Sequence, residues 1–350
     1  MRNYKYVNCE EGASQYDDCN FKKSKIVDAA YIPAIVEMDR GNPYIEALPY
    51  PKEGRTVRLA YNKPLQDFDY EKTKEMSTLE KLLNVSTLRE LRFPLSFHET
   101  LEYRFYDALI TSYRARKQTI FKRSRMYYAN DDEQETNAVL YGRSENATNA
   151  GFSLIGYSGC GKSSAVSILL SHYPQVIIHD DGNGGHYPQI VYLVVNCVAN
   201  SNFSALYEGI GEAIDRAFEN SLPVYAGEVA RARNLGKKAE VIKNFIEQFG
   251  IGIIIFDEIQ LIDFEHTKEN TFDSLLTLAN RTKVAMAVVG TEDARSKMFK
   301  ELRTARRIGT VINGNGYCSD ERFFAYLVKN LFRYQWFDML VEPTKEIVDG

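Results

Sequence analysis

The chain predicts an α/β fold, a parallel sheet flanked by helices, and two observations carry that expectation. From residue 151 onward, short apolar runs rich in β-branched residues alternate with stretches of helical period, the order that builds a parallel sheet covered on both faces. One of those runs ends in a glycine-rich turn, GYSGCGKSS at 156–164, that opens directly into a helical stretch. Residues 1 to about 90 differ, being rich in Tyr, Pro and charge with no sustained apolar period, and read as an extended arm. The expected organisation is an N-terminal extension and protein-docking arm with short helices over 1–95, an α/β core over 96–335, and the start of a truncated further segment or a C-terminal tail over 336–350.

With 350 residues the chain has room for one large domain or about two. Hydrophobic residues at 44%, charged residues at 26% and a formal net charge of -4 exclude a disordered or collagen-like polymer. That weak overall charge names no partner, so local charge has to be read instead. The five cysteines, Cys9, Cys19, Cys160, Cys197 and Cys318, are odd in number, irregularly spaced and without a zinc pattern. Reduced thiols in the cytoplasm are therefore expected rather than a disulfide framework. No apolar run approaches the roughly 20 residues that span a bilayer, and MRNYKYVNCEEG has no apolar signal core, so no membrane partner is expected.

Taken in order, the first element signal is STLEKLLNVSTLREL at 77–91, where Ser77 with Glu80 three residues on forms a capping box. Phe97, Leu101, Phe105, Leu109 and Tyr113 then recur every fourth residue, one apolar face of a helix. NDDEQETN (130–137) and DDGNGGH (180–186) read as surface loops. GFSLIG, QIVYLVVNC, GIGIIIFDE and KVAMAVVGT are nearly continuous apolar runs, as strands buried on both sides should be. Between them, Phe203, Leu206, Ile210 and Ile214 stripe a helix that Asn202 is placed to cap.

The glycine-rich turn satisfies G-x-x-x-x-G-K-[ST], and it lies between a strand and a helix, where that pattern acts on phosphate. Gly156, Tyr157, Ser158, Gly159, Cys160, Gly161, Lys162, Ser163 and Ser164 are the expected nucleotide-binding residues. Glycines let successive backbone N–H groups curl around phosphate, and the helix start adds the positive end of its dipole. Lys162 would reach the outer phosphates of ATP and Ser163 would hold Mg²⁺. A chance glycine-rich turn is the alternative. In IIIFDE (253–258) an apolar strand ends in two carboxylates, Asp257 for the Mg²⁺ shell and Glu258 to polarise the attacking water. Taken alone, such an ending reads equally as a solvated turn.

A third strand ends at Thr291, a candidate contact for the terminal phosphate that reads equally as the cap of the helix EDARSKMF. Arg303, Arg306 and Arg307 crowd ELRTARRIGT. They suit either the negative end of a helix dipole or a finger offered to a neighbouring subunit's nucleotide. In YRARKQTIFKRSRMYY (113–128), Arg114, Arg116, Lys117, Lys122, Arg123 and Arg125 occur without an acid, a pattern that fits a phosphate backbone or a solvated basic face. Arg231, Arg233, Lys237 and Lys238 form a smaller cluster between the two nucleotide motifs, which reads as an inserted, DNA-contacting loop lining a pore or equally as an ordinary helix start.

This order of strand, phosphate loop, Asp-Glu strand, Thr-ended strand and arginine-bearing helix resembles an AAA+ ATPase. GNPYIEALPYP (41–51), YPQVIIH (173–179), FDEIQLI (256–262), VVGTEDAR (288–295) and LRTARRIG (302–309) together are similar to TnsC, the AAA+ regulator of heteromeric bacterial transposons, and its relative TniB. The resemblance runs from about residue 41 to about residue 335. It implies an ATP-dependent homo-oligomer, ring or helical filament, assembled on duplex DNA without sequence preference. It also implies a target-site selector protein on one side, transposase subunits on the other, and release on hydrolysis. Lys162, Ser163, Asp257, Glu258 and Thr291 keep their nucleotide roles under it, and Arg306 or Arg307 acts across a subunit boundary. Asn196 stands where relatives tend to have an acid, and the chain stops at EPTKEIVDG, so the helical lid is expected to be missing or truncated. A helicase loader or replication initiator, and a non-catalytic adaptor stabilised by nucleotide, remain the alternative readings.

Overall fold

The computed structural model describes residues 26–65, 68–116, 151–181, 184–198, 202–262, 271–293, 309–316, 321–337 and 339–344. The acidic stretch 130–137, most of the basic stretch 113–128 and the arginines of 303–307 lie outside them. The N-terminal part contains β1 (Ile26–Asp28), α1 (Pro43–Glu46), α2 (Arg55–Ala60), α3 (Tyr70–Glu75), α4 (Thr78–Val85) and the long helix α5 (Phe97–Ala115). The capping box at Ser77 and Glu80 forms as expected.

After α5 the described chain continues as β2 (Gly151–Ile155), α6 (Lys162–Leu170), β3 (Val176–Asp180), β4 (His186–Ile190) and β5 (Tyr192–Asn196). Then come α7 (Phe203–Ala217), α8 (Val224–Arg231), α9 (Leu235–Phe249) and β6 (Ile253–Asp257). The last described elements are α10 (Thr271–Thr282), β7 (Ala285–Gly290), β8 (Thr310–Asn313) and α11 (Glu321–Leu331). The main sheet runs β5-β6-β7-β2-β8 with every pair parallel, and β1-β3-β4 form a second, small sheet. The α/β expectation is borne out.

The main sheet separates two apolar layers by the two-residue period of its strands. Ile253 and Ile255 of β6 and Ala287 and Val289 of β7 face the layer built by α5 and α6. Ile254, Phe256 and Val288 point the other way, into the layer built by α7, α9 and α10. Burying both sides of a strand explains its unbroken apolar sequence, each such side chain contributing roughly 1.5–3 kcal/mol. The stripe from Phe97 to Tyr113 is buried along its whole length.

Two expectations are corrected. Residues 26–61 do not stand off as an extended arm: Tyr44, Ile45, Leu48, Val57 and Tyr61 belong to the same apolar layer as α5 and α6. Asn42 caps α1 by accepting the Tyr44 N–H, and Tyr44 lies over Gly250, where a Cβ would come within 2.4 Å of the ring. The apolar residues that look broken in sequence are thus brought together by short helices and turns. The run QIVYLVVNC is likewise two strands, because the chain changes sheets at Val191. Its N–H donates to Gln175 O (2.8 Å) and its carbonyl accepts from Ile253 N (3.1 Å), tying β4 to one sheet and β5 to the other.

Candidate functional site

The strand order decides what can meet at the carboxyl edge of the main sheet. β7 lies between β2, which feeds the phosphate loop, and β6, which ends in Asp257. The chain that leaves β7 at Thr291 is therefore set between the loop and the acidic pair. Open parallel sheets bind ligands at this edge.

Gly159 (φ 80°) and Gly161 (φ 92°) take left-handed backbone, and the loop turns sharply from β2 into α6. Tyr157, Ser158 and Gly159 are exposed, whereas Cys160 and Lys162 are buried. Lys162 Nζ donates to Gly156 O (2.9 Å) and Tyr157 O (2.7 Å) and lies 3.7 Å from Cys160 Sγ. Ser163 is exposed at the head of α6 with Ser164 partly exposed behind it, and the Ser163 hydroxyl is near enough to the Asp257 carboxylate to favour its charged form.

Burial pushes the Asp257 carboxyl above its ordinary range, against the Ser163 hydroxyl, the hydrogen bond from the Glu258 N–H and the attraction of Lys162; the Glu258 charge adds to the rise. Such a carboxylate gains from a cation, which is the property a metal ligand needs. Glu258 is exposed, and its backbone is left-handed at φ 56°. The Thr291 hydroxyl is buried and has no hydrogen-bond partner among the described residues. Next to this group Cys197, its N–H bonded to Asp257 O at 2.9 Å, has its thiol pushed up to about 12 by burial and the two carboxylates. It stays a protonated, unreactive thiol.

The donor set fits a triphosphate with Mg²⁺. A lysine, exposed loop residues and a helix start offer positive charge, while Ser163 and Asp257 offer hard oxygens near one another. The unpartnered Thr291 oxygen is the kind of buried polar atom that a bound ligand satisfies.

Residues 147–298 match a family model described as an AAA domain. No curated protein matches the chain. The likeness is to AAA domains in general terms, and the phosphate loop, Asp257, Glu258 and Thr291 of the nucleotide edge lie within the matched span.

Two residues at this sheet edge lie outside the motifs. Asn315, just after β8, accepts the Tyr157 N–H at Oδ1 (2.7 Å), and Gly314 N donates to Ile155 O (2.7 Å). The signal was an apolar run ending in repeated Asn-Gly turns, TVINGNG. Gln260 is the second: its side chain donates to the Glu258 carboxylate and accepts the Thr291 N–H. The signal there was a lone amide inside IQLI.

The basic residues divide. Arg231, Arg233 and Lys237 are exposed around the junction of α8 and α9 and form no ion pair among the described residues. Lys238, of the same cluster, is buried and paired with Glu208. Arg114 forks onto the buried Asp39 with Nε–Oδ1 and Nη2–Oδ2 distances of 2.7 and 2.6 Å. Arg116 is buried at the opposite edge of the sheet, where it donates to Ser112 O (3.2 Å), Ser112 Oγ (2.8 Å) and Ile251 O (2.7 Å). Its expected DNA contact is corrected, as is that of Lys238, because each head group is satisfied inside the fold. Lys117, Lys122, Arg123, Arg125, Arg303, Arg306 and Arg307 lie outside the described residues.

Proposed function

We propose that this protein is an ATP-hydrolysing AAA+ regulator of DNA transposition. In this reading it assembles as a homo-oligomer on duplex DNA, links a target-site selector to transposase subunits, and comes apart on hydrolysis. The observation that carries the ATPase part is the convergence of Lys162, Ser163, Asp257, Glu258 and Thr291 on one sheet edge inside the AAA match. Lys162 and the loop N–H groups would bind the phosphates and Ser163 and Asp257 the Mg²⁺, which supplies charge neutralisation at the phosphoryl group. Glu258 orients and polarises water, and Thr291 faces the terminal phosphate.

The DNA and transposition parts are supported by the resemblance of NPYIEALP, YPQV and LRTARRIG to TnsC and TniB, and by the exposed cations Arg231, Arg233 and Lys237. Arg306 or Arg307 serves as the finger in trans, and the basic stretch through Lys117, Lys122, Arg123 and Arg125 contributes to the duplex surface.

The test pairs two variants. Lys162→Ala abolishes ATP-dependent assembly on duplex DNA, whereas Glu258→Gln assembles and stays assembled, because it retains phosphate binding and loses water activation. Sedimentation or electron microscopy with ATP and DNA, alongside phosphate release, reads both. Binding falls steeply with salt, as counterion release requires. DNA binding indifferent to ATP, salt and both substitutions overturns the reading.

A further inference from the structure

The strand β6 ends in an abrupt change of backbone direction. Glu258 takes left-handed backbone (φ 56°, ψ 39°), and the next three residues form a tight turn closed by Leu261 N donating to Glu258 O at 3.0 Å. For a residue with a side chain this backbone costs on the order of 1–3 kcal/mol and persists only where its surroundings impose it. Here Ile259 and Ile262 are buried on either side of the turn. Between them Gln260 is turned back along the sheet edge.

Its amide bridges two strands. Oε1 accepts the backbone N–H of Thr291 at 3.2 Å, and Nε2 donates to the Glu258 carboxylate. The orientation of this amide is decided by chemistry: a backbone N–H only donates, so the oxygen must face it and the NH₂ must face the carboxylate. Thr291 is also the residue whose buried hydroxyl has no partner among the described residues. One side chain therefore connects the carboxylate that would polarise water with the residue that would face the terminal phosphate.

Resting on the ATPase reading above, we infer that Gln260 is a positioning residue. It holds the Glu258 carboxylate in register with the end of β7, so that water activation is set only when the Thr291 segment is in its phosphate-facing place. It touches neither nucleotide nor water in this role and acts through Glu258. A carboxylate on an exposed, strained turn has several rotamers open to it, and reaction geometry is sensitive to displacements of about 1 Å.

The experiment uses the full chain with ATP and Mg²⁺ and compares wild type, Gln260→Ala, Gln260→Glu, Glu258→Gln and the Gln260→Ala/Glu258→Gln double variant. The readouts are kcat and KM for phosphate release and ATP affinity by calorimetry. Gln260→Ala lowers kcat on the order of 10- to 100-fold, with KM and ATP affinity within about twofold. Gln260→Glu keeps an acceptor for the Thr291 N–H and turns a carboxylate toward Glu258. It gives the same pattern, and it carries the test if the alanine variant does not fold. In the Glu258→Gln background the alanine substitution lowers the residual rate no further, because the carboxylate it positions is gone. An unchanged kcat, a loss confined to KM or ATP affinity, or the same fractional loss in both backgrounds overturns the inference and leaves the ATPase reading standing. A wild-type rate no higher than that of Glu258→Gln overturns both.

Discussion

Gly156 shows at one position why the phosphate loop tolerates so little change. A Cβ there would lie 2.9 Å from both Asn315 Oδ1 and Cys160 Sγ and 3.2 Å from Gly314 Cα, the last of these being backbone. Either the loop moves away from the turn after β8 or that turn moves, and both break the Tyr157 N–H to Asn315 bond. Overpacking of this kind costs about 1–3 kcal/mol. Gly156→Ala is expected to weaken ATP binding about tenfold, equivalent to about 1.4 kcal/mol, measured by calorimetry; affinity equal to wild type would show that the loop is not held by this contact. The motif spacing made Lys162, Ser163 and the glycines legible, since their roles follow from one local turn. Asn315 was not legible, because its role depends on β8 pairing with β2, a contact between residues far apart in the chain.

At the scale of elements, the caps divide the same way. Asn202, named from its place before an apolar stripe, accepts the Ala205 N–H at 3.0 Å, a bond three residues long that sequence spacing reveals. Helix α8 has no such local cap: its start at Val224 follows Pro223, which offers no side-chain acceptor. The acceptor comes from α7 instead. Buried Asp215 receives the N–H groups of Val224, Tyr225 and Ala226 and the Asn220 amide, at 2.9–3.2 Å. Gly211 of α7 makes room for this approach, since a Cβ there would come within 2.8 Å of Ala226. Burial alone would raise the Asp215 carboxyl, but these donors outweigh it and hold the group below its ordinary range. Its contribution is thus present at neutral pH and is lost as pH falls through the lowered value. Asp215→Ala leaves three backbone donors short of an acceptor and is expected to destabilise the fold by about 1–3 kcal/mol, with Asp215→Asn losing less because one oxygen remains. Urea unfolding at pH 7 reads this, and equal midpoints for wild type and Asp215→Ala would refute it.

For the whole molecule, the sequence led to the parallel sheet and its nucleotide edge but not to the way residues 26–61 close the other side. A period of 3.6 or 2 marks an element that presents one face, and this segment instead inserts single side chains from short turns. Tyr61 is the clearest case. Its hydroxyl donates to the buried Glu102 of α5 at 3.0 Å, and the same carboxylate oxygen meets His172, just beyond α6, at 2.7 Å. The N-terminal segment, α5 and the helix that begins at Lys162 therefore share one buried polar junction. His98 completes it, stacked on the Tyr61 ring at 4.0 Å and accepting the Leu95 N–H at Nδ1 (3.0 Å). Burial lowers the His98 imidazole from 6.5 to about 4, so the folded protein keeps it neutral where the unfolded chain would protonate it. The unfolded state then binds more protons between about pH 6.5 and 4, which makes stability rise with pH across that window. It is complete above it and reduced by up to roughly 3 kcal/mol below it. His98→Gln, which retains an acceptor for the Leu95 N–H and cannot take up a proton, is expected to be less stable than wild type at pH 7 through lost stacking. Its loss of stability between pH 7 and pH 4.5 should be smaller. Unfolding free energies at the two pH values measure this, and parallel pH dependence in the two proteins would place the acid sensitivity elsewhere in the fold.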